Sequence, residues 1–124
     1  MTRARGAALA VLGLRVAYGV GLVAAPERLA RRWLGPSAAT GPTQVPLRAL
    51  GVRETAIHAG AIAATLRGEA VRPYLAASIV GDLSDIVATT VARRELPGEA
   101  PVATAVVAGI SAALSAAVAV ALDR

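Results

Sequence analysis

Apolar residues along the chain collect into four long stretches, at about 6–25, 47–66, 73–92 and 101–122, with short polar segments between them. Each stretch runs to about twenty residues, the length a helix needs to cross roughly 30 Å of hydrocarbon. The fourth carries no charge at all. Pro73 and Pro101 suit helix starts, where the missing N–H costs nothing. Polar turns at 67–73 and 93–100 separate the last three stretches, and 37–46, rich in Pro, Gly, Ser and Thr, reads as a loop. There is no strand-like alternation and no internal repeat. The pattern predicts an all-α fold: an antiparallel four-helix transmembrane bundle, one integral membrane domain over residues 1–124.

Residues 26–34 depart from this pattern. Pro26 fits a first helical position, Glu27 a first turn, and Gly35-Pro36 a stop. At helical spacing Leu29, Ala30, Trp33 and Leu34 share one side, and Glu27, Arg28, Arg31 and Arg32 the other. This predicts a short amphipathic helix lying in the headgroup plane, with Arg28, Arg31, Arg32 and Trp33 as interfacial anchors. A solvated loop helix is the plainer alternative. The first stretch also invites a signal-peptide reading, but Arg15 breaks its apolar run and Pro26 would follow the cut, so it is read as a retained span. Within it, Gly13, Ala17 and Gly21 form a ridge of small residues suited to close helix approach.

Polar residues inside the stretches are not scattered. In the third, Ser78, Asp82, Asp85 and Thr89 fall within about 60° of arc. In the second, Glu54, His58 and Thr65 share a face, while Arg53 points about 100° away from Glu54. Thr104, Ser111 and Ser115 align in the fourth, and Arg15 lies beside Tyr18 in the first. A charge inside a span costs about 2.5–3.5 kcal/mol on insertion scales. Arg15, Arg53, Glu54, Asp82 and Asp85 together would therefore cost roughly 12–17 kcal/mol if unpaired. They are expected to face inward as one buried polar cluster with His58 and Ser78. Two arginines against three carboxylates leave that interior at minus one, so one proton is expected to be held there at neutral pH.

Composition narrows the possibilities further. Of 124 residues 56% are hydrophobic and only 17% charged; Phe is absent and the aromatics are one Trp and two Tyr. Such small side chains suit helix contacts in lipid better than a wide aqueous core. The net charge is +5, all of it from arginine, yet the arginines sit mostly at segment ends with no basic run or aromatic platform, which argues against nucleic acid and for a lipid bilayer as the partner. Four spans place Arg3, Arg5, Arg67, Arg72 and Arg124 on one side and Arg28, Arg31, Arg32, Arg93 and Arg94 on the other. That tie, with Arg48 assignable to neither side, leaves the orientation open. Abundant Ala and Arg without Lys points to a GC-rich bacterial source, and hence to the inner membrane.

The absence of Cys excludes disulfides and thiol chemistry. There is no Gly-x-Ser-x-Gly elbow and no His-Glu-x-x-His pair; Ser111 lies in Gly-Ile-Ser-Ala-Ala. Asp82, Asp85 and Glu54 could in principle offer oxygens to a divalent cation, and His58 is the one conceivable haem ligand. A hydrogen-bonded core histidine and ion-paired carboxylates are the simpler reading, so no catalytic residue, metal or cofactor is expected.

Gly51-Val52-Arg53-Glu54, opening the second stretch, and Gly81-Asp82 in the third resemble a family of small bacterial four-helix integral membrane proteins of unknown function. The resemblance covers about the second and third stretches. It implies a four-span bundle with Arg53, Glu54 and Asp82 as signature positions, and it brings no activity, substrate or catalytic residue. Asp85 and His58 rest on spacing alone. The expected role is a non-enzymatic structural or accessory subunit, self-associating or built into a larger membrane complex. The alternative is a transporter or proton-relay element using Arg53, Glu54, His58, Asp82 and Asp85.

Overall fold

The computed structural model describes residues 2–123, so Arg124 of the charge tally lies outside the described residues. Helix α1 spans Arg3–Ala24, α2 Pro26–Leu34, α3 Gly41–Arg67, α4 Arg72–Val91 and α5 Ala100–Leu122. Short 3-10 turns at Gly35–Ala39 and Arg93–Glu95 complete the chain, and no strand occurs among the described residues. The fold is all-α. Helices α1, α4 and α5 are long and apolar enough to cross a membrane. Helix α3 does not reach that apolarity, because Arg53, Glu54 and His58 sit in its apolar part.

Local chemistry explains most of the boundaries. The Thr2 side chain accepts the Arg5 backbone N–H at 3.1 Å and caps α1. Pro26 opens α2, and Gly35, at φ +66°, ends it in a conformation that only glycine adopts cheaply. Helix α3 ends at Gly68 (φ +70°), whose N–H and that of Glu69 turn back onto Thr65 and Ala64.

Residues 37–46 are not a loop: a 3-10 turn runs to Ala39 and α3 already starts at Gly41. Thr40 is extended and Pro42 occupies the first turn, where its missing N–H is harmless. Pro46 is then tolerated inside α3, at the loss of one backbone bond close to the helix start.

Helices α1 and α3 form the most extensive helix pair, followed by α4 with α5. They run antiparallel, and each caps the other's C-terminal end with an arginine. The Arg5 guanidinium donates to the carbonyl oxygens of Thr65 and Leu66, the latter at 2.8 Å. Arg48 Nε donates to the Val23 carbonyl at 3.2 Å. Carbonyls left without partners in the last helical turn, at the negative end of the helix dipole, favour a cation there. Arg72 pairs with Asp123 and ties the start of α4 to the end of α5.

The α1–α3 approach is close because both backbones are bare at the crossing. A Cβ on Gly19 would lie 2.6 Å from Thr55 Oγ1 and 2.8 Å from the Gly51 carbonyl. A Cβ on Gly51 would lie 2.6 Å from the Gly19 carbonyl. The ridge of Gly13, Ala17 and Gly21 is not what meets α3: the space beside Gly13 is open, Ala17 is exposed, and Gly21 faces Leu29 of α2.

The interior is layered. At one end Ala8, Leu12, Ala61, Ala64, Val71, Leu75 and Val118 form an apolar layer. At the other, Ala30, Ala38 and Leu47 are covered by Trp33 and Leu34. Polar side chains occupy the levels between. The outer faces are apolar, with Val80 66% and Val91 76% exposed. Polar groups inside and large apolar groups outside invert the usual arrangement in water, and they suit contact with hydrocarbon.

Candidate functional site: a buried ion-pair network beside a cavity

The α1–α3 crossing sets the register of the charged layer. One turn from Gly19 on α1 lies Arg15, and one turn from Gly51 on α3 lies Glu54. Arg15 Nη2 reaches Glu54 Oε2 at 3.0 Å, and Nε reaches the same oxygen at 3.2 Å. The opposite edge of the guanidinium faces α4: Nη1 donates to Asp82 Oδ2 at 3.0 Å and Nη2 to Asp82 Oδ1 at 2.9 Å. The planar fork of arginine matches a carboxylate in this two-bond arrangement. A single guanidinium thus joins three helices, and it occupies the ground between Glu54 and Asp82 that a cation would take. No set of three or more His, Asp or Glu side chains is placed to hold a metal ion among the described residues.

Next to this layer lies a second hydrogen-bond chain. His58 Nδ1 is 2.6 Å from the Glu54 carbonyl oxygen, and His58 Nε2 is 2.8 Å from Ser78 Oγ. A carbonyl only accepts, so Nδ1 carries the proton. In the neutral ring Nε2 must then accept, and the Ser78 hydroxyl donates to it. The other lone pairs of Ser78 face Ser115 of α5, at a longer 3.5 Å. Both His58 and Ser78 are 1% exposed. The chain stops at Ser115, because the next level is the apolar layer of Leu12, Leu75 and Val118. Every buried side-chain nitrogen and oxygen among the described residues has a partner.

On its other side the charged layer borders a cavity of about 800 Å³. Its polar wall includes Arg15, Glu54, Asp82 and Asp85; Tyr18 and Trp33 add aromatic rings; Leu14, Leu29, Leu50 and Val107 add apolar surface. Arg32 and Glu99 also line it, and both are exposed. Asp85 is half-buried, and its side chain forms no ion pair or hydrogen bond among the described residues.

The structure therefore brings together Arg15, Glu54, His58, Ser78 and Asp82, and sets Asp85 beside them on the cavity wall. It does not include Arg53, which is exposed on the outer side of α3. The reason is the 100° step between adjacent helix positions: turning Glu54 inward turns Arg53 out. The charge count changes with it. One guanidinium now faces three carboxyl groups, so full ionisation leaves this interior at minus two rather than minus one.

Among the expected anchors, Arg28, Arg31 and Arg32 are exposed, and Arg31 pairs with Glu27 one turn away. Trp33 is half-buried and its ring N–H donates to Thr89 Oγ1 of α4 at 2.8 Å. The sequence does not show that link, although Thr89, on the polar stripe of α4, calls for a partner. The cavity contribution of Arg32 and Glu99, from segments distant in the chain, carries no local signal.

An all-helical chain, apolar outside and charged within, with three helices able to cross a membrane, defines a membrane-protein class. Its comparisons add no closer relationship: no family model, curated protein or solved structure matches the chain.

Proposed function

We propose that the protein is a multi-pass protein of the bacterial inner membrane, with α3 as a fourth span completing an antiparallel four-helix transmembrane bundle. Its role is non-enzymatic, a structural or accessory subunit. The observation that carries this reading is the Arg15 guanidinium held by carboxylates from two other helices. Such an arrangement matches charges to one another and so offsets the cost of Glu54 inside α3, while Arg53, on the outer side of that helix, reaches the headgroups along its long stem. It also suits the resemblance to small bacterial four-helix membrane proteins, since Glu54 and Asp82 are two of the three signature positions. Helix α2 then lies at the headgroups, with Arg28 and Arg31 directed to lipid, Arg32 at the cavity and Trp33 fastening it to α4. The open faces beside Gly13, Gly81 and Gly109 leave room for a second copy or a larger complex.

The native chain has no Cys, so single-cysteine labelling tests the topology cleanly. Cysteines at Arg67 and Arg94 should react from opposite faces of sealed vesicles, and those at Arg48 and Arg67 likewise. Labelling of Arg48→Cys and Arg67→Cys from one face would remove α3 as a span.

A second reading is favoured by the cavity, which reaches Glu54, Asp82 and Asp85. In it the protein is a transport or proton-relay element, open to solute on one side and closed on the other by the apolar layer around Leu12 and Leu75. Asp82→Asn should then abolish proton-coupled uptake by reconstituted vesicles while the bundle stays folded. Unchanged flux would count against it.

A further inference from the structure

We infer that the cavity beside the ion-pair network is a binding site for an organic cation with an apolar body. This deepens the cavity reading above and names its ligand class; it is independent of the strut. The cavity is half-open, and its volume of about 800 Å³ lies in the range that accepts drug-sized molecules. Its walls are largely apolar, which calls for a hydrophobic body rather than a hydrated ion. A bare divalent cation would need several converging oxygens, and no three acidic or histidine side chains converge for one among the described residues.

Charge decides the sign of the ligand. Arg15 is fully engaged by Glu54 and Asp82, and the exposed Arg32 and Glu99 cancel in charge. Asp85 remains, one helical turn from Asp82, on the wall and without an ion-pair partner. An anion would meet an excess of carboxyl groups, and a neutral guest would desolvate Asp85 without replacing its water. A cation answers both. Two rings on the same walls, Tyr18 and Trp33, offer π-faces to an ammonium or phosphonium group. The same ammonium chemistry could arrive as a free amine or as the headgroup of an aminolipid.

The protein supplies its own probe, because Trp33 is the only tryptophan and lines the cavity. Full-length protein in nanodiscs of phosphatidylglycerol is titrated with tetraphenylphosphonium while Trp33 fluorescence is followed. Saturable quenching is expected, with no saturation by tetraphenylborate, the anion of the same shape. Asp85→Asn should weaken tetraphenylphosphonium binding at least about tenfold, as loss of one member of a desolvated charge pair does. Its thermal unfolding should match the native chain, because Asp85 holds nothing in the network. Should Asp85→Asn fail to fold, Ala103→Phe fills the cavity from α5 and should abolish the quenching. Nanodiscs that also contain phosphatidylethanolamine distinguish the two sources. Competition by the aminolipid assigns the site to a headgroup amine, and equal affinity assigns it to a free cation. Equal saturation by the borate, or undiminished binding in Asp85→Asn or Ala103→Phe, overturns the proposal. A positive binding result with no flux in vesicles would retain the site and remove the transport reading.

Discussion

Arg15 holds Asp82 through two hydrogen bonds of 2.9 and 3.0 Å, although the residues lie on different helices and 67 positions apart in the chain. The same guanidinium also holds Glu54 of α3, so its removal strands two carboxylates at once. Arg15→Gln is expected to destabilise the protein by about 3–5 kcal/mol, the usual cost of leaving a buried charge uncompensated. Adding Asp82→Asn to Arg15→Gln should recover part of that loss, because a neutral amide no longer needs the missing cation. Unfolding of both variants in mild detergent, followed by circular dichroism, provides the measurement. Simple additivity of the two changes would show that the pair is not coupled.

The glycine crossing gives a sterically sharp prediction. Gly51→Ala forces a methyl to 2.6 Å from the Gly19 carbonyl, and Gly19→Ala forces one to 2.8 Å from the Gly51 carbonyl. Backbone atoms cannot rotate out of the way as a side chain can. Each substitution should cost about 1–3 kcal/mol by pushing α1 and α3 apart. Gly13→Ala, facing open space inside α1, should cost nothing and stabilise by up to about 1 kcal/mol through helix propensity. Thermal unfolding of the three variants side by side separates this contact from a general intolerance of α1 and α3 to alanine.

Hydrogen bonding at His58 predicts its tautomer. With Nδ1 donating to the Glu54 carbonyl, the neutral ring must carry its proton on Nδ1 and accept from Ser78 at Nε2. Nitrogen-15 chemical shifts of the single histidine should show that pattern. Ser78→Ala removes the donor and leaves Nε2 buried without a partner, at a cost of about 1–3 kcal/mol. A histidine carrying its proton on Nε2 would contradict the assignment directly.

Helix α2 is tied to α4 by one side-chain bond, from Trp33 to Thr89. Trp33→Phe and Thr89→Val should each cost about 0.5–1.5 kcal/mol through that bond, and Trp33→Phe somewhat more through lost packing. The double variant should be less destabilised than the two single changes predict together. Hydrogen exchange should quicken in the backbone amides of α2 and leave the middle of α3 unchanged. Equal acceleration throughout would mean that the bond stabilises the whole fold and not the docking of α2.

Much of this arrangement is legible residue by residue. The amphipathic split of 26–34 reads directly as α2, because a proline start, an acidic first turn and a glycine stop are local signals. Of the stripe Ser78, Asp82, Asp85 and Thr89 on α4, three are buried and Asp85 is half-buried, as helical spacing places them on one face. Residues 37–46 mislead for an equally local reason: proline and glycine mark turns, yet Pro42 in a first turn permits a helix that tertiary contacts then extend. Arg53 misleads because its charge asks for burial while its phase on α3, one step from Glu54, turns it outward.

By itself, then, the sequence determines that the chain is helical, where most of the helices lie, and which side of each is polar, because those properties repeat every 3.6 residues. Only the tertiary structure decides that Arg15, and not Arg53, meets Glu54 and Asp82, and that Asp85 is left facing a cavity. Those outcomes depend on the axial register of α1 against α3. That register is set where Gly19 and Gly51 let two backbones touch, a contact between two glycines that hydrophobic periodicity does not pair.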